Sequence, residues 1–191
     1  LTYEYNSSQN AHLNVKAFVI DKLKDAQSSK AIKPKDVVLY GFGRIGRLVA
    51  RELMAKTGRG SQLRLRAIVV RGELNREMLE KRAALLKTDS VHGPFTGTVD
   101  VDENKQALII NGTTVKIISA NQPEDIDYTK HGISNALIID NTGAFRDKTA
   151  LSRHLKSKGA NKVLLTAPGK EVPNIVHGVN HKDFDPDKTN I

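Results

Sequence analysis

The sequence predicts an α/β fold: a doubly wound, mostly parallel sheet that carries an antiparallel strand insertion and follows a helical N-terminal extension. Three observations carry that expectation. From Asp36 onward, short apolar runs alternate with stretches of helical spacing. Parallel neighbours require such crossovers, which are nearly always right-handed. Between residues 97 and 118 the alternation gives way to three strand-like runs joined by turn signals, and residues 1–35 differ in composition from everything after them. The chain therefore divides into an extension with its linker, 1–35, and one domain, 36–191.

The extension opens on the polar run LTYEYNSSQN, continues in HLNVKAFVIDKLKDA and closes on the linker-like QSSKAIKPK. Val15, Val19, Ile20 and Leu23 make one apolar stripe, which predicts a helix over 11–27. In the domain, Val37-Val38-Leu39-Tyr40 is the first strand. Arg44 to Lys56 places Ile45, Leu48, Val49 and Leu53 on one helical face, and LRLRAIVV, Leu63 to Val70, is the next strand. NREMLEKRAALLKTDS reads as a helix. GTVDV, QALII and TTVKII then read as antiparallel strands, turning at Glu103-Asn104 and at Asn111-Gly112, a strong hairpin signal. Alternation resumes with a short helix from Pro123 to His131, the strand Ala136 to Asp140, a helix from Lys148 to Lys158 and the strand Lys162 to Thr166.

Composition limits the function. At 191 residues the chain suffices for one buried domain and an appendage, and its 39% apolar and 27% charged residues are those of an ordinary globular protein. No cysteine is present, which excludes a disulfide framework, a cysteine zinc site and a thiol nucleophile drawn from these residues. The formal charge is +9, but Lys and Arg are dispersed and only 5% of residues are aromatic, so a nucleic-acid surface is disfavoured against a solvated basic one. No run reaches the ~20 apolar residues of a membrane span, and no secretory signal is evident, so the cytoplasm is expected. The chain begins at Leu1, which is expected of a fragment or a trimmed chain.

The stretch DVVLYGFGRIGRLVARELMAK, Asp36 to Lys56, carries the chemistry. Gly41, Gly43 and Gly46 form a G-x-G-x-x-G set in a strand–turn–helix setting, the Rossmann-type cradle for a dinucleotide. Gly41 would make the tight turn, Gly43 would admit a pyrophosphate to the backbone, and Gly46 would let the helix pack closely on the strand. Free amides of Arg44 and Ile45 at the helix N-terminus would face the phosphates. Such folds commonly place a carboxylate at the end of the second strand, on the adenine-ribose 2′-hydroxyl. This chain has Arg71 and Gly72 there, with Glu73 one place later. A guanidinium can grip a 2′-phosphate that a carboxylate would repel, which favours NADP over NAD.

GFGRIGRLVAREL, TDSVHGPFTGTV, LIINGTTVKII, NTGAF, VLLTAPGK and HGVNH occur in the order and spacing of the N-terminal half of phosphorylating glyceraldehyde-3-phosphate dehydrogenases, which Asp36 to Ile191 resembles. Residues 1–35 lie outside the likeness and look like the extension of a longer bacterial branch. The resemblance implies that Phe42, Gly43, Arg44 and Ile45 line the pyrophosphate. Arg71 and Gly72 fall on the adenine ribose, where the family usually has Asn-Asp. Asn141, Thr142 and Gly143 match its Ser-Thr-Gly along the nucleotide, Phe145 its aromatic, and Thr166 and Ala167 its Ser-Ala below the nicotinamide. Asn121 replaces an arginine that often flanks the adenine, and Tyr40 replaces an asparagine before the first glycine.

The resemblance also implies a homotetrameric enzyme of glycolysis and gluconeogenesis. In the family a cysteine thiolate attacks an aldehyde, a histidine takes the proton, hydride passes to the nicotinamide, and phosphate releases an acyl phosphate. That cysteine follows a segment like DKTNI, with which this sequence ends, so the chain is expected to bind nucleotide without turning over substrate. No residue here is assigned as catalytic. His92, His177 and His181 are read as structural, and the histidine spacing matches no metal motif. The family's C-terminal helix packs on this domain, and the helix around Val15 to Leu23 or a second copy of the chain is expected to cover part of the groove left without it. Two alternatives remain: a non-catalytic nucleotide- or nucleic-acid-binding module, and a parent enzyme acting on erythrose 4-phosphate.

Overall fold

The structure is a computed structural model that describes residues 14–24, 34–58 and 62–191. It falls into two compact units, Leu1–Lys33 and Pro34–Ile191, each described by itself. In the first, helix α1 spans Val15–Lys22, and Asn14 caps it by accepting the Lys16 N–H at 2.8 Å. The predicted apolar stripe is not its buried side. Phe18 is buried, while Val15, Ile20 and Leu23 are exposed, because the helix's apolar residues are spread around its axis rather than gathered on one face. The remainder of the 11–27 expectation, and any covering of the other unit, lie outside what the described residues address.

In the second unit the elements run β1 (Lys35–Tyr40), α2 (Arg44–Ala55), β2 (Leu63–Val70), α3 (Arg76–Lys87), β3 (Thr88–Asp89), β4 (Gly93–Pro94), β5 (Val99–Asp102), β6 (Ala107–Ile110), β7 (Thr113–Ser119), β8 (Ala136–Asp140), α4 (Lys148–Ser152) and β9 (Ala160–Leu165). Seven strands form one sheet in the order β5-β6-β7-β2-β1-β8-β9. Pairs β7–β2, β2–β1, β1–β8 and β8–β9 are parallel; β5–β6 and β6–β7 are antiparallel. This is the predicted α/β architecture with its antiparallel insertion. Asn111 and Gly112, joining β6 to β7, have φ of 48° and 76°, as a primed hairpin turn requires.

The interior strand β1 is buried on both faces, which is why it reads as continuous apolar sequence. Val37 and Leu39 enter one core with Ile68, Leu79, Leu86 and Ile117. Val38 and Tyr40 enter the other, with Val69, Tyr128, Ile138 and Phe145. A register shift between Val37 and Val38 explains why Leu65 and Ile68, of unlike parity, share a face. At the amino end of β1, Asp36 is held by Arg64 at 2.7 Å and faces Arg66 at 3.8 Å.

Three expectations change in detail. The helix predicted to run to Ser90 stops at Lys87, because Asp89 accepts the N–H groups of Val91 and His92 and folds the chain into the short β3–β4 hairpin. The Pro123–His131 helix is two 3₁₀ turns, Pro123–Asp125 and Tyr128–His131, separated by extended residues and ended at Gly132 with φ 66°. The helix from Lys148 is α-helical only through Ser152 and finishes as 3₁₀ turns at Lys156, where Ser157 Oγ donates to the Pro123 carbonyl at 2.6 Å. Outside β9, the Val163 N–H donates to the Asn190 carbonyl at 2.8 Å, and Lys162 Nζ donates to the Thr189 carbonyl at 3.1 Å.

Candidate functional site

The order of strand addition reverses at β1: the chain builds outward through β2 and β7, then returns to lay β8 on the other side. Ligands of open α/β sheets bind outside the carboxyl ends of the strands at such a switch point. A crevice of about 240 Å³ opens there. Tyr40 to Gly43 line it from the end of β1, Val69 to Arg71 from β2, Ala120 from beyond β7, Thr142 and Ala144 from beyond β8, and Arg82 from α3.

The glycine turn is built by contact distances. Gly41 has φ +92°, and a Cβ added to it would stand 2.7 Å from Thr142 Cγ2. One added to Gly46 would stand 2.4 Å from the Gly41 carbonyl oxygen, so α2 can pack this close to the turn only through a glycine. At Gly43 an added Cβ would meet nothing within 4 Å. That glycine faces the open crevice, where a methyl would occupy space a ligand could use. Gly43 is also the N-cap of α2 and offers no side-chain acceptor to the helix's first amides, leaving them available to an anion.

The β8 side is held from below. Asp140 Oδ1 accepts both the N–H and the Oγ1–H of Thr142 at 2.7 Å, and its Oδ2 accepts from His154 Nε2 at 2.9 Å. Thr142 Oγ1 accepts the Ala144 N–H at 3.1 Å. Tyr40 lies edge-on to His154 and to Phe145. Its phenol is pushed up to about 12, first by burial, opposed by Arg71 and assisted by Asp140.

Of the sequence-predicted residues, Phe42, Gly43, Arg71 and Thr142 converge on the crevice. Arg44 and Ile45 start α2 and are exposed, with Arg44 Nε 3.9 Å from Asp89 Oδ2. Gly72 sits in the turn after β2 with φ +94°, and its carbonyl accepts from Ser119 Oγ. Asn141 donates to the Ile139 carbonyl and accepts at Oδ1 from Thr166 Oγ1 at 3.2 Å. Gly143 has φ +67° and accepts from Arg146 Nε at 2.8 Å. Phe145 is 7% exposed and belongs to the core below the crevice. Thr166 and Ala167 line a separate, mostly apolar groove with Leu165, Val172 and Ile191.

His92 Nδ1 lies 3.0 Å from Asp89, and His177 stacks on His181 with ring centroids 4.6 Å apart. Among the described residues no three His, Cys, Asp or Glu side chains are placed to hold a metal, and no helix is long and apolar enough to cross a membrane. The residue that sequence reasoning missed is Arg82. Its signal lay in helical spacing: it sits four residues after Met78 and four before Leu86, on the side of α3 that packs inward.

A mostly parallel sheet with this switch-point crevice and glycine turn defines a Rossmann-type dinucleotide-binding domain. Residues 35–148 match the family described as glyceraldehyde 3-phosphate dehydrogenase, NAD binding domain, and the chain belongs to that family. It is 55% identical over 162 residues to a glyceraldehyde-3-phosphate dehydrogenase-like protein of Pseudomonas aeruginosa (strain UCBPP-PA14), covering 84% of this chain and 35% of that protein. It is 37% identical over 152 residues to the glyceraldehyde-3-phosphate dehydrogenase of Ajellomyces capsulatus, and 36% identical over 151 to glyceraldehyde-3-phosphate dehydrogenase 1 of Schizosaccharomyces pombe; each alignment covers 78% of this chain and 41% of the relative. The chain thus spans well under half the length of these relatives.

Proposed function

We propose that this chain is the nicotinamide-dinucleotide-binding part of an oxidoreductase that oxidises and phosphorylates an aldehyde phosphate, and that it takes NADP in preference to NAD. The observation that carries the reading is the open space at Gly43, beside uncapped helix amides and with Arg71 lining the same crevice. Phe42, Gly43 and the amides of Arg44 and Ile45 would hold the pyrophosphate. Arg71 and Gly72 would take the adenine ribose, while Asn141, Thr142 and Gly143 would run along the nucleotide above Phe145, with Thr166 and Ala167 at the nicotinamide end. When bound, the nicotinamide supplies a hydride acceptor.

The residues of this chain bind and orient. None of the 191 is a cysteine, so the thiolate that the family resemblance implies is not among them. By the same resemblance the whole protein is a cytoplasmic homotetramer. Titration of the purified chain with NAD and NADP tests the reading, with Arg71→Ala as the variant. NADP should bind more tightly, and the variant should lose that advantage while keeping its affinity for NAD. Equal affinities for the two nucleotides would overturn the preference. Reduction of NADP or NAD with glyceraldehyde 3-phosphate by the 191-residue chain alone would overturn the assignment of a purely binding role.

A further inference from the structure

We infer that Arg82 is the second arm of a two-arginine clamp for a ribose 2′-phosphate, closing on it from α3 while Arg71 closes from the end of β2; this rests on the NADP reading above. Both side chains line the switch-point crevice. Arg82 lies in the inward-facing spacing of α3, one turn from Met78 and one from Leu86, where an apolar residue would bury surface at no electrostatic cost. Its Nε is shut from solvent and has no hydrogen-bond partner among the described residues.

Most other arginines of the domain are committed, and Arg47, whose Nε also lacks a partner, does not line the crevice. Arg64 and Arg66 face Asp36, Arg76 pairs with Glu80, and Arg153 with Glu124. Neither Arg71 nor Arg82 has a carboxylate within ion-pair distance among the described residues; Glu73, two places after Arg71, is exposed and forms no such pair. Two uncommitted forks around one crevice at strand carboxyl ends suit a phosphomonoester dianion, whose three oxygens can accept from both at once.

The test uses the whole chain and two probes that differ only by the phosphate in question, 2′,5′-ADP and 5′-AMP, read by calorimetric titration. Wild type should prefer 2′,5′-ADP. Arg82→Met, which keeps the stem and removes the fork, should weaken 2′,5′-ADP by about tenfold or more and leave 5′-AMP within about twofold, which also shows that the variant is folded. Arg82→Lys should fall between. In the wild-type chain, the Arg82 Nε–H resonance should shift with 2′,5′-ADP and not with 5′-AMP. If wild type shows the preference and Arg82→Met retains it, or if the resonance ignores both probes, the clamp is wrong and the cofactor reading stands on Arg71. If wild type shows no preference for 2′,5′-ADP, the cofactor reading fails and takes the clamp with it.

Discussion

His154 Nε2 lies 2.9 Å from Asp140 Oδ2, with both side chains fully buried, and the other oxygen of that carboxylate fixes Thr142 at the lip of the crevice. Removing one partner of a buried hydrogen-bonded pair leaves a polar atom of the other without a partner, a loss of about 1–3 kcal/mol. His154→Phe keeps a ring against Tyr40 and Phe145 but leaves Asp140 Oδ2 without its partner. Urea unfolding should show a loss of about that size, with nucleotide affinity falling too as Thr142 loosens. A fully stable variant would show that the pair contributes nothing.

Gly43 and Gly46 should respond oppositely to one added methyl. At Gly46 the Cβ would meet a backbone oxygen at 2.4 Å, and forcing it in should cost about 1–3 kcal/mol of stability. At Gly43 the space is open, so Gly43→Ala should change stability by about 1 kcal/mol or less while weakening dinucleotide binding at least about tenfold. Thermal melts and nucleotide titration on the two variants separate the effects.

Tyr40 gives the fold an alkaline limit. Its phenol is raised to about 12 by burial, above the ~10 of an unfolded tyrosine, so folding favours the neutral form. That contribution is complete below about 10 and disappears as pH rises through about 12. Burial raises Tyr128 further still, so tyrosinate absorbance should show late-titrating groups of which Tyr40→Phe removes the earlier.

Asp89 acts at the acid end. The His92 N–H, the His92 ring and the Val91 N–H hold its carboxyl well below the usual carboxylate range. Its stabilisation is present above the unfolded value of about 4 and lost as pH falls below it. Asp89→Asn should flatten the acid limb of the stability–pH curve. An unchanged limb would remove Asp89 from the explanation.

The sequence displayed the glycine turn and most strands because both follow local rules: Asn-Gly between strand-like runs favours a primed hairpin turn, and a continuous apolar run such as Val37 to Tyr40 suits a strand buried on both faces. The short elements were less legible. Pro123, Asp127 and Gly132 look compatible with one helix, yet Gly159, whose Cβ would stand 2.6 Å from the Ile133 carbonyl, draws the β9 side against this segment. Arg82 escaped for a related reason. Helical spacing put it on the inward side of α3, but only the turn of α3 across the sheet brings that side to the end of β2.

The hydrogen bond from Val163 to Asn190 also bears on solubility. A bare outer strand offers unpaired amides to any passing chain and so templates edge-to-edge association. Here the chain's own residues 189–190 occupy part of that rim, and Lys162 spends its ammonium on holding them. Removing this short segment should leave the cleft intact and promote self-association through β9.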